Sequence, residues 1–162
     1  AGLEAALRLK DQYGAEVTVI TMGLPKATDV LREALAMGAD KAVLVTDRVL
    51  GGADTWATSQ TLAGAIRNLE YDIIITGRQA IDGDTAQVGP QISEHLGIPV
   101  VSYAQKIEID GDKVIVERQY EDRYHEIINS GQIDKVLEDG ANKARYIAHK
   151  KLMKVQKKIL WT

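Results

Sequence analysis

Residues 72–91, DIIITGRQAIDGDTAQVGPQ, are the most informative part of the sequence. It begins with a short apolar run, which predicts a buried strand over residues 71–76. A glycine turn and an acidic, polar loop follow, and helical spacing predicts a helix over residues 85–96. Backbone N–H groups and a helix N-terminus would then converge on one point, an arrangement that suits a phosphate group.

Small and polar residues are interspersed in this loop. Small side chains allow a ligand to approach the backbone closely, and polar side chains offer donors and acceptors to a base, a ribose or a phosphate. Thr85 is the predicted N-cap of the helix, with a hydroxyl that could also reach a phosphate. The small residues are Gly77, Ala80, Gly83, Ala86 and Gly89, and the polar ones are Gln79, Asp82, Asp84, Thr85 and Gln87.

Strands and helices alternate upstream of the loop. Helices are predicted over residues 1–13, 27–37 and 55–69, and strands over residues 16–22 and 41–46. Gly14 is predicted to end the first helix, Asp54 to be the N-cap of the third, and Gly97 to end the helix over residues 85–96. Continuous apolar strands that alternate with helices predict an α/β fold with a doubly wound parallel sheet, Rossmann-like, whose strands are covered on both faces. Ligands of such sheets bind beyond the carboxyl ends of the strands, where the loop lies. These domains normally open with a strand, so we expect either a fragment or a first strand supplied by another segment.

The pattern changes after Pro99. Residues 100–109 and 113–119 flank Asp110-Gly111, which predicts an antiparallel hairpin, and residues 122–128 predict a further extended segment. From Ser130, a plausible N-cap, apolar residues recur at helical spacing to the end of the chain. We therefore predict two parts, a nucleotide-binding domain over residues 1–128 and a C-terminal helix over residues 129–162.

Charge is distributed unevenly between these two parts. Residues 1–130 contain 12 Lys and Arg against 20 Asp and Glu, a net charge of −8. Residues 131–162 contain 8 against 3, a net charge of +5. Such a step marks a boundary, and a solvated helix face is the simplest interpretation of the basic segment. Nucleic-acid binding is not expected.

Composition excludes several kinds of site. The chain has no cysteine, so thiolate metal sites, disulfides and cysteine nucleophiles are absent. Its histidines, His95, His125 and His149, lack metal-ligand spacing. Asp82 and Asp84 are interpreted as turn-forming residues rather than as a catalytic or metal-binding pair. No catalytic or metal site is therefore predicted.

Two further expectations concern aromatic residues and location. Trp56 and Tyr103 could stack on a flavin, but packing is the simpler interpretation. No apolar run approaches the roughly 20 residues that cross a bilayer, and no signal-peptide pattern opens the chain. We expect a cytoplasmic protein without membrane insertion.

Several blocks of the first 128 residues resemble the β subunit of electron transfer flavoproteins. In order they are EVTVITMGLP, LREALAMGADKAVLVTD, GADTWATSQTLAGAI, IIITGRQAIDGDTAQVGPQISEHLGIP and KIEIDGDKVIVERQYEDRYHEI. The resemblance implies an adenine nucleotide alpha hydrolase-like fold and an electron carrier subunit rather than an enzyme. It also implies a heterodimer with an FAD-bearing α subunit, electron exchange with flavin dehydrogenases, and a bound AMP or, in bifurcating members, a second FAD.

The resemblance also assigns a cofactor-binding set by position. Arg78 within it could pair with phosphate or FAD, or could have a solvated or structural role. The family's opening strand, its dehydrogenase-docking loop and its α-subunit arm have no match in this sequence. The implied set is Met22, Gly23, Gly77, Arg78, Gln79, Ala80, Ile81, Asp82, Gly83, Asp84, Thr85, Ala86, Gln87 and Val88.

The C-terminal part resembles a different family. The run IDKVLEDGANKARYIAHKKLMKVQKKI is similar to the C-terminal helix of bacterial tryptophanyl-tRNA synthetases, although no HIGH-type or KMSKS-type motif is present. Two alternatives to an electron-transfer subunit therefore remain at this stage. One is an adenine-nucleotide-binding module without a redox role, and the other is a fusion or chimeric fragment with a synthetase-like tail.

Overall fold

The computed structural model describes residues 1–119 and 125–129, which form a mixed α/β structure. Short 3₁₀ helices, Pro25–Ala27 and Arg48–Leu50, follow the first two strands. The predicted C-terminal helix lies outside the described residues. The main elements, in order, are α1 (Gly2–Tyr13), β1 (Thr18–Met22), α2 (Thr28–Ala36), β2 (Lys41–Val45), α3 (Thr55–Ile66), α4 (Val88–Leu96), β3 (Ala104–Asp110), β4 (Lys113–Arg118) and β5 (His125–Asn129).

The strands form two separate sheets. Strands β1 and β2 pair in parallel, in a register from Thr18 opposite Lys41 to Met22 opposite Val45. Strands β3, β4 and β5 form an antiparallel sheet with β4 in the middle. The predicted parallel pair, hairpin and further extended segment are thus confirmed. In the described part of the chain the parallel sheet has two strands, so the wider doubly wound arrangement is not formed there.

The predicted strand over residues 71–76 is wrong. This segment makes no β-ladder with any described strand, although it contains Ile73, Ile74 and Ile75 in succession. β-Branched residues favour an extended backbone, but a strand also requires a hydrogen-bonded neighbour. The three isoleucines are half-buried instead, and the segment leads directly into the polar loop.

Helix α4 begins three residues later than predicted. Its N-cap is Gln87, which makes no side-chain capping bond, so the prediction of Thr85 as N-cap is also wrong. The physical reason is the backbone, because Asp84 and Ala86 have φ angles of 49° and 53°. A right-handed helix cannot include residues in that left-handed region.

Three other helix ends follow the local sequence signals. Asp54 caps α3 as predicted, because its carboxylate accepts a 2.8 Å hydrogen bond from the Ala57 N–H. Gly14 and Gly97 end α1 and α4 in the left-handed conformation, with φ of 72° and 67°. Helix α3 ends at Ile66 rather than at residue 69, and α2 starts at Thr28 because a 3₁₀ turn precedes it.

The core is built mainly from helix faces and element ends. Helix α2 packs on β1 and β2, and α3 packs on α4 and β1. The central residues of β1 and β2 are only half-buried, so the prediction that both strand faces are covered is wrong for the described residues. The buried apolar residues are Leu9, Val17, Leu31, Ala34, Ala39, Ala63, Ile66, Ile92 and Val116.

Asp40 joins three elements just before β2. Its carboxylate accepts hydrogen bonds from Lys10 Nζ at 2.5 Å and from the Val17 N–H at 2.9 Å. Lys10 also donates to the Gly38 carbonyl at 2.9 Å. The hydrogen bond from Lys10, followed by that from the Val17 backbone, holds the pKa of Asp40 below its ordinary value. The end of α1 is thereby fastened to the start of both parallel strands.

Replacing Asp40 with asparagine should lower the melting temperature at neutral pH. The folded-state pKa is depressed, so the contribution of the carboxylate is present above its unfolded pKa of about 3.9 and is lost as pH falls through the folded pKa. Thermal unfolding followed from neutral to about pH 2 should therefore show the difference between wild type and D40N shrinking on acidification. A difference independent of pH would contradict this role.

Asp29 provides a matched control for that measurement. It pairs with Arg32 on the exposed side of α2 at 3.3 Å, with both side chains mostly solvent-accessible. Exposed pairs of this kind contribute little to stability. D29N should therefore change the melting temperature much less than D40N.

Candidate functional site

The loop over residues 77–88 has an unusual backbone. Asp84 and Ala86 both adopt positive φ, although neither is glycine. Each such residue costs about 1–2 kcal/mol relative to an ordinary conformation. Residues of this kind persist where their surroundings over-determine them, and they concentrate at ligand sites. The backbone of this loop therefore marks it as a candidate binding site.

Hydrogen bonds within the loop hold this conformation. The Asp84 N–H donates to the Ala80 carbonyl at 3.0 Å, and the Gly83 N–H donates to the Asp82 carboxylate at 2.9 Å. The Gln79 side-chain amide donates to the Asp84 carboxylate. Both acids thus act as turn-forming acceptors, the role predicted for them. They make no ion pair with Arg78 in the described residues.

Next along the loop comes a run of open backbone N–H groups, meaning groups that donate no hydrogen bond within the described residues. Five consecutive N–H groups donate no hydrogen bond to any described residue, and they span the entrance to α4. Left-handed residues interspersed along the backbone, as at Asp84 and Ala86, turn successive N–H groups toward one concavity that binds anions. The positive end of the α4 dipole adds to the same field. The five groups belong to Thr85, Ala86, Gln87, Val88 and Gly89.

The two ends of the loop touch each other. A methyl group added at Gly89 would lie 2.5 Å from Thr76 Oγ1, a distance that real Cβ contacts do not reach. A side chain at this position would therefore force Thr76 to shift, and glycine avoids that clash. The contact fixes the first turn of α4 against the segment that enters the loop.

A second helix N-terminus lies beside the first. The Thr55 hydroxyl, in the first turn of α3, donates to Gln87 Oε1 at 3.2 Å and accepts from Gln91 Nε2 at 3.5 Å. Gln91 Oε1 is buried and has no partner among the described residues. A buried acceptor left unsatisfied is costly, so a water or a ligand donor would stabilise this position. Thr55 and Gln91 were not identified from the sequence, where Asp54-Thr55 signalled only a helix start.

The remaining predicted residues occupy the edges of the loop. Met22 and Gly23 lie at the carboxyl end of β1, where the Gly23 N–H donates to the Val45 carbonyl at 3.0 Å. Neither residue hydrogen-bonds to the loop within the described ranges. The start of α1 does adjoin the loop, since a methyl group at Gly2 would lie 3.6 Å from the Gly77 nitrogen.

The aromatic residues make two different contacts. Trp56 lies edge-on against His95, with ring centroids 4.4 Å apart, and is itself half-exposed. Tyr103 instead lies under the Arg78 guanidinium, 5.0 Å from Cζ to the ring centroid. No cluster of three potential metal ligands occurs in the described residues.

The chain belongs to a known family. The model of the electron transfer flavoprotein domain matches residues 1–155, nearly the whole chain. The predicted resemblance to electron transfer flavoprotein β subunits is thereby confirmed. The match also includes most of the C-terminal segment that resembles a synthetase helix.

Similar proteins of known name agree with this family. Electron transfer flavoprotein subunit beta of Clostridium acetobutylicum is 65% identical over 122 residues, which are 75% of this chain and 47% of that protein. Acryloyl-CoA reductase electron transfer subunit gamma of Anaerotignum propionicum is 48% identical over 164 residues, covering 99% of this chain and 61% of that protein. Protein FixA of Azorhizobium caulinodans is 53% identical over 127 residues, covering 74% and 45%.

These alignments have two consequences. The chain spans about half the length of most of the curated relatives it matches. The names of the relatives from Clostridium acetobutylicum and Anaerotignum propionicum describe electron-transfer subunits. Separately, none of the described helices is both long and apolar enough to cross a bilayer.

Substituting Gly89 with alanine should displace the entrance of α4, because the new methyl group would collide with Thr76 Oγ1. We expect a lower melting temperature and shifted amide resonances over residues 77–88. Adding T76A removes the colliding hydroxyl and should recover much of the loss. A G89A protein with unchanged loop resonances would contradict the contact.

Gly64 is the matched control for this substitution. It lies inside α3, and a methyl group there would meet nothing within 4 Å. Alanine is favoured over glycine in a helix interior by up to about 1 kcal/mol. G64A should therefore leave the melting temperature unchanged or raise it.

Proposed function

We propose that the loop over residues 77–88 binds the phosphate of an adenine nucleotide, and that the chain acts as the β-type subunit of an electron transfer flavoprotein. The observation that carries the proposal is the run of five open N–H groups at the entrance of α4. Backbone donors at a helix N-terminus are a common way to bind phosphate, and they need no cationic side chain.

The electrostatics of the loop support an anionic ligand despite its acids. The carboxylates of Asp82 and Asp84 accept hydrogen bonds from within the loop, so part of their acceptor capacity is already used. The Arg78 guanidinium pairs with no carboxylate in the described residues and supplies the positive charge at the start of the loop. Backbone N–H groups and one cation together offset the two acidic side chains.

The buried Gln91 acceptor supports a ligand that also carries donors. Its Oε1 lacks a partner in the described residues and belongs to the same network as Thr55 and Gln87. A ribose hydroxyl or an adenine amino group has the donor that this acceptor needs. AMP and the AMP portion of FAD share all of these groups, so the proposal covers both.

The proposed binding set is the one assigned by resemblance. Residues at the carboxyl end of β1 are included because the resemblance assigns them to the same site and because ligands of parallel sheets bind at that end of the strands. FAD, when bound, would supply the redox chemistry, while the residues of this chain bind and orient the nucleotide. The set is Met22, Gly23, Gly77, Arg78, Gln79, Ala80, Ile81, Asp82, Gly83, Asp84, Thr85, Ala86, Gln87 and Val88.

The proposed partners are an FAD-bearing α subunit and the flavin dehydrogenases that exchange electrons with it. Support comes from the names of the relatives, which include an electron transfer subunit of acryloyl-CoA reductase and a subunit of a caffeyl-CoA reductase–Etf complex. We assign nucleotide binding to residues 1–128 and treat residues 129–162 as a separate helical part. In this proposal the chain is a carrier subunit and not itself an enzyme.

Replacing Ala86 with proline should weaken AMP binding by at least tenfold. Proline removes one of the five N–H groups and cannot adopt the positive φ of 53° found at this position. Isothermal titration calorimetry with AMP and with FAD measures the effect and shows which nucleotide binds more tightly. A86P with wild-type affinity for both would contradict binding by this backbone.

Ala86 also allows a conservative control. Glycine keeps the N–H group and adopts positive φ without strain. A86G should therefore bind AMP at least as tightly as wild type. A86G loses the methyl group but keeps the N–H group and the positive φ, whereas A86P loses both of the latter. The pair therefore separates the backbone requirement from any loss of the alanine methyl group.

Co-expression with an electron transfer flavoprotein α subunit should yield a heterodimer with flavin absorbance. Size-exclusion chromatography detects the complex, and the visible spectrum detects the flavin. A chain that binds AMP but forms no heterodimer would instead be an adenine-nucleotide-binding module without a redox role. The α subunit expressed alone is the control for flavin that the partner retains by itself.

A further inference from the structure

Tyr103 has a strained backbone beside an irregularity in the hairpin. Its φ angle is 58°, in the left-handed region that non-glycine residues seldom adopt. The β3–β4 register shifts between Ala104 and Lys106, directly after it. Bulges of this kind redirect side chains near functional sites. The strained backbone and the irregular register therefore mark Tyr103 as a candidate functional residue.

Both neighbouring hydrogen bonds come from the end of the hairpin. The Gln119 N–H donates to the Tyr103 carbonyl at 2.8 Å, and Arg118 Nε donates to the Ser102 carbonyl at 2.8 Å. These bonds fix the backbone on either side of the ring. The backbone that bears the ring is thus held by the end of the hairpin and not by the loop that the ring contacts.

The Tyr103 ring contacts the guanidinium of Arg78, the second residue of the loop. Cζ lies 5.0 Å from the ring centroid, within the range of a cation–π contact. The guanidinium has five N–H donors, and a contact with one ring does not use all of them. No carboxylate of the described residues takes them up in an ion pair.

We propose that Tyr103 is a positioning residue, which holds the Arg78 guanidinium at the loop so that its N–H edge meets the phosphate of the bound nucleotide. This inference rests on the proposed nucleotide-binding function and adds a residue outside the loop to the site. Tyr103 is half-exposed, with 48% of its surface accessible, so its ring is not needed to fill the core. It acts on the ligand only through Arg78.

The test compares AMP with adenosine, which lacks the phosphate, by isothermal titration calorimetry on the full chain. Y103L should weaken AMP binding about two- to thirtyfold, the range that corresponds to a cation–π contact of about 0.5–2 kcal/mol. Adenosine affinity should not change. Y103F keeps the ring and should bind AMP within about twofold of wild type.

A double-mutant cycle with Arg78→Gln distinguishes positioning from general structure. If Tyr103 acts through Arg78, Y103L should have no further effect on AMP affinity in the R78Q background. Tyr71, with 41% of its surface accessible and also near the loop in sequence, provides the matched control. Y71L should leave both affinities unchanged.

Each remaining outcome is decisive. Y103L with wild-type AMP affinity overturns the positioning role and leaves the proposed function intact. Equal losses of AMP and adenosine affinity, or additive effects of Y103L and R78Q, also overturn it. A wild-type chain that binds neither AMP nor FAD overturns the proposed function and this inference together.

Discussion

The close approach of Thr76 to Gly89 is the constraint on which the candidate site depends. It brings together the two ends of the twelve-residue loop over residues 77–88, and any side chain at position 89 would force Thr76 to shift. With both ends fixed, the intervening backbone can hold left-handed residues at Asp84 and Ala86 without relaxing into a longer helix. The late start of α4 and its open N–H groups follow from that conformation.

The site also resolves an apparent conflict of charge. A loop with two aspartates is a poor anion site if side chains are counted alone. In the folded chain both carboxylates accept hydrogen bonds from the loop itself, while backbone donors are left open at the helix entrance. For anion binding, the direction and distance of the donors therefore matter more than the net charge of the loop. The same principle applies to Arg78, whose usefulness depends on the ring that holds it.

Local sequence signals predicted much of the structure, and contacts between residues far apart in the sequence set the rest. The caps at Asp54, Gly14 and Gly97 depend on neighbours within a few residues, and all three are found where the sequence placed them. The strand over residues 71–76 failed because strand formation needs a partner that β propensity cannot supply. Thr85 failed as an N-cap because the positive φ of Ala86 is set by the folded loop and not by the alanine itself.

The family, the mixed α/β class, the hairpin and the loop that carries the candidate site can be predicted from the amino-acid sequence. These features depend on motif order, hydrophobic period and turn residues, which are properties of short stretches. The folded structure is needed to locate the start of α4 and the N–H groups without partners, and to show that Thr55, Gln91 and Tyr103 adjoin the loop or its helix. Those contacts join residues 25 to 36 positions apart, and no local pattern encodes a distance between groups that far apart along the chain.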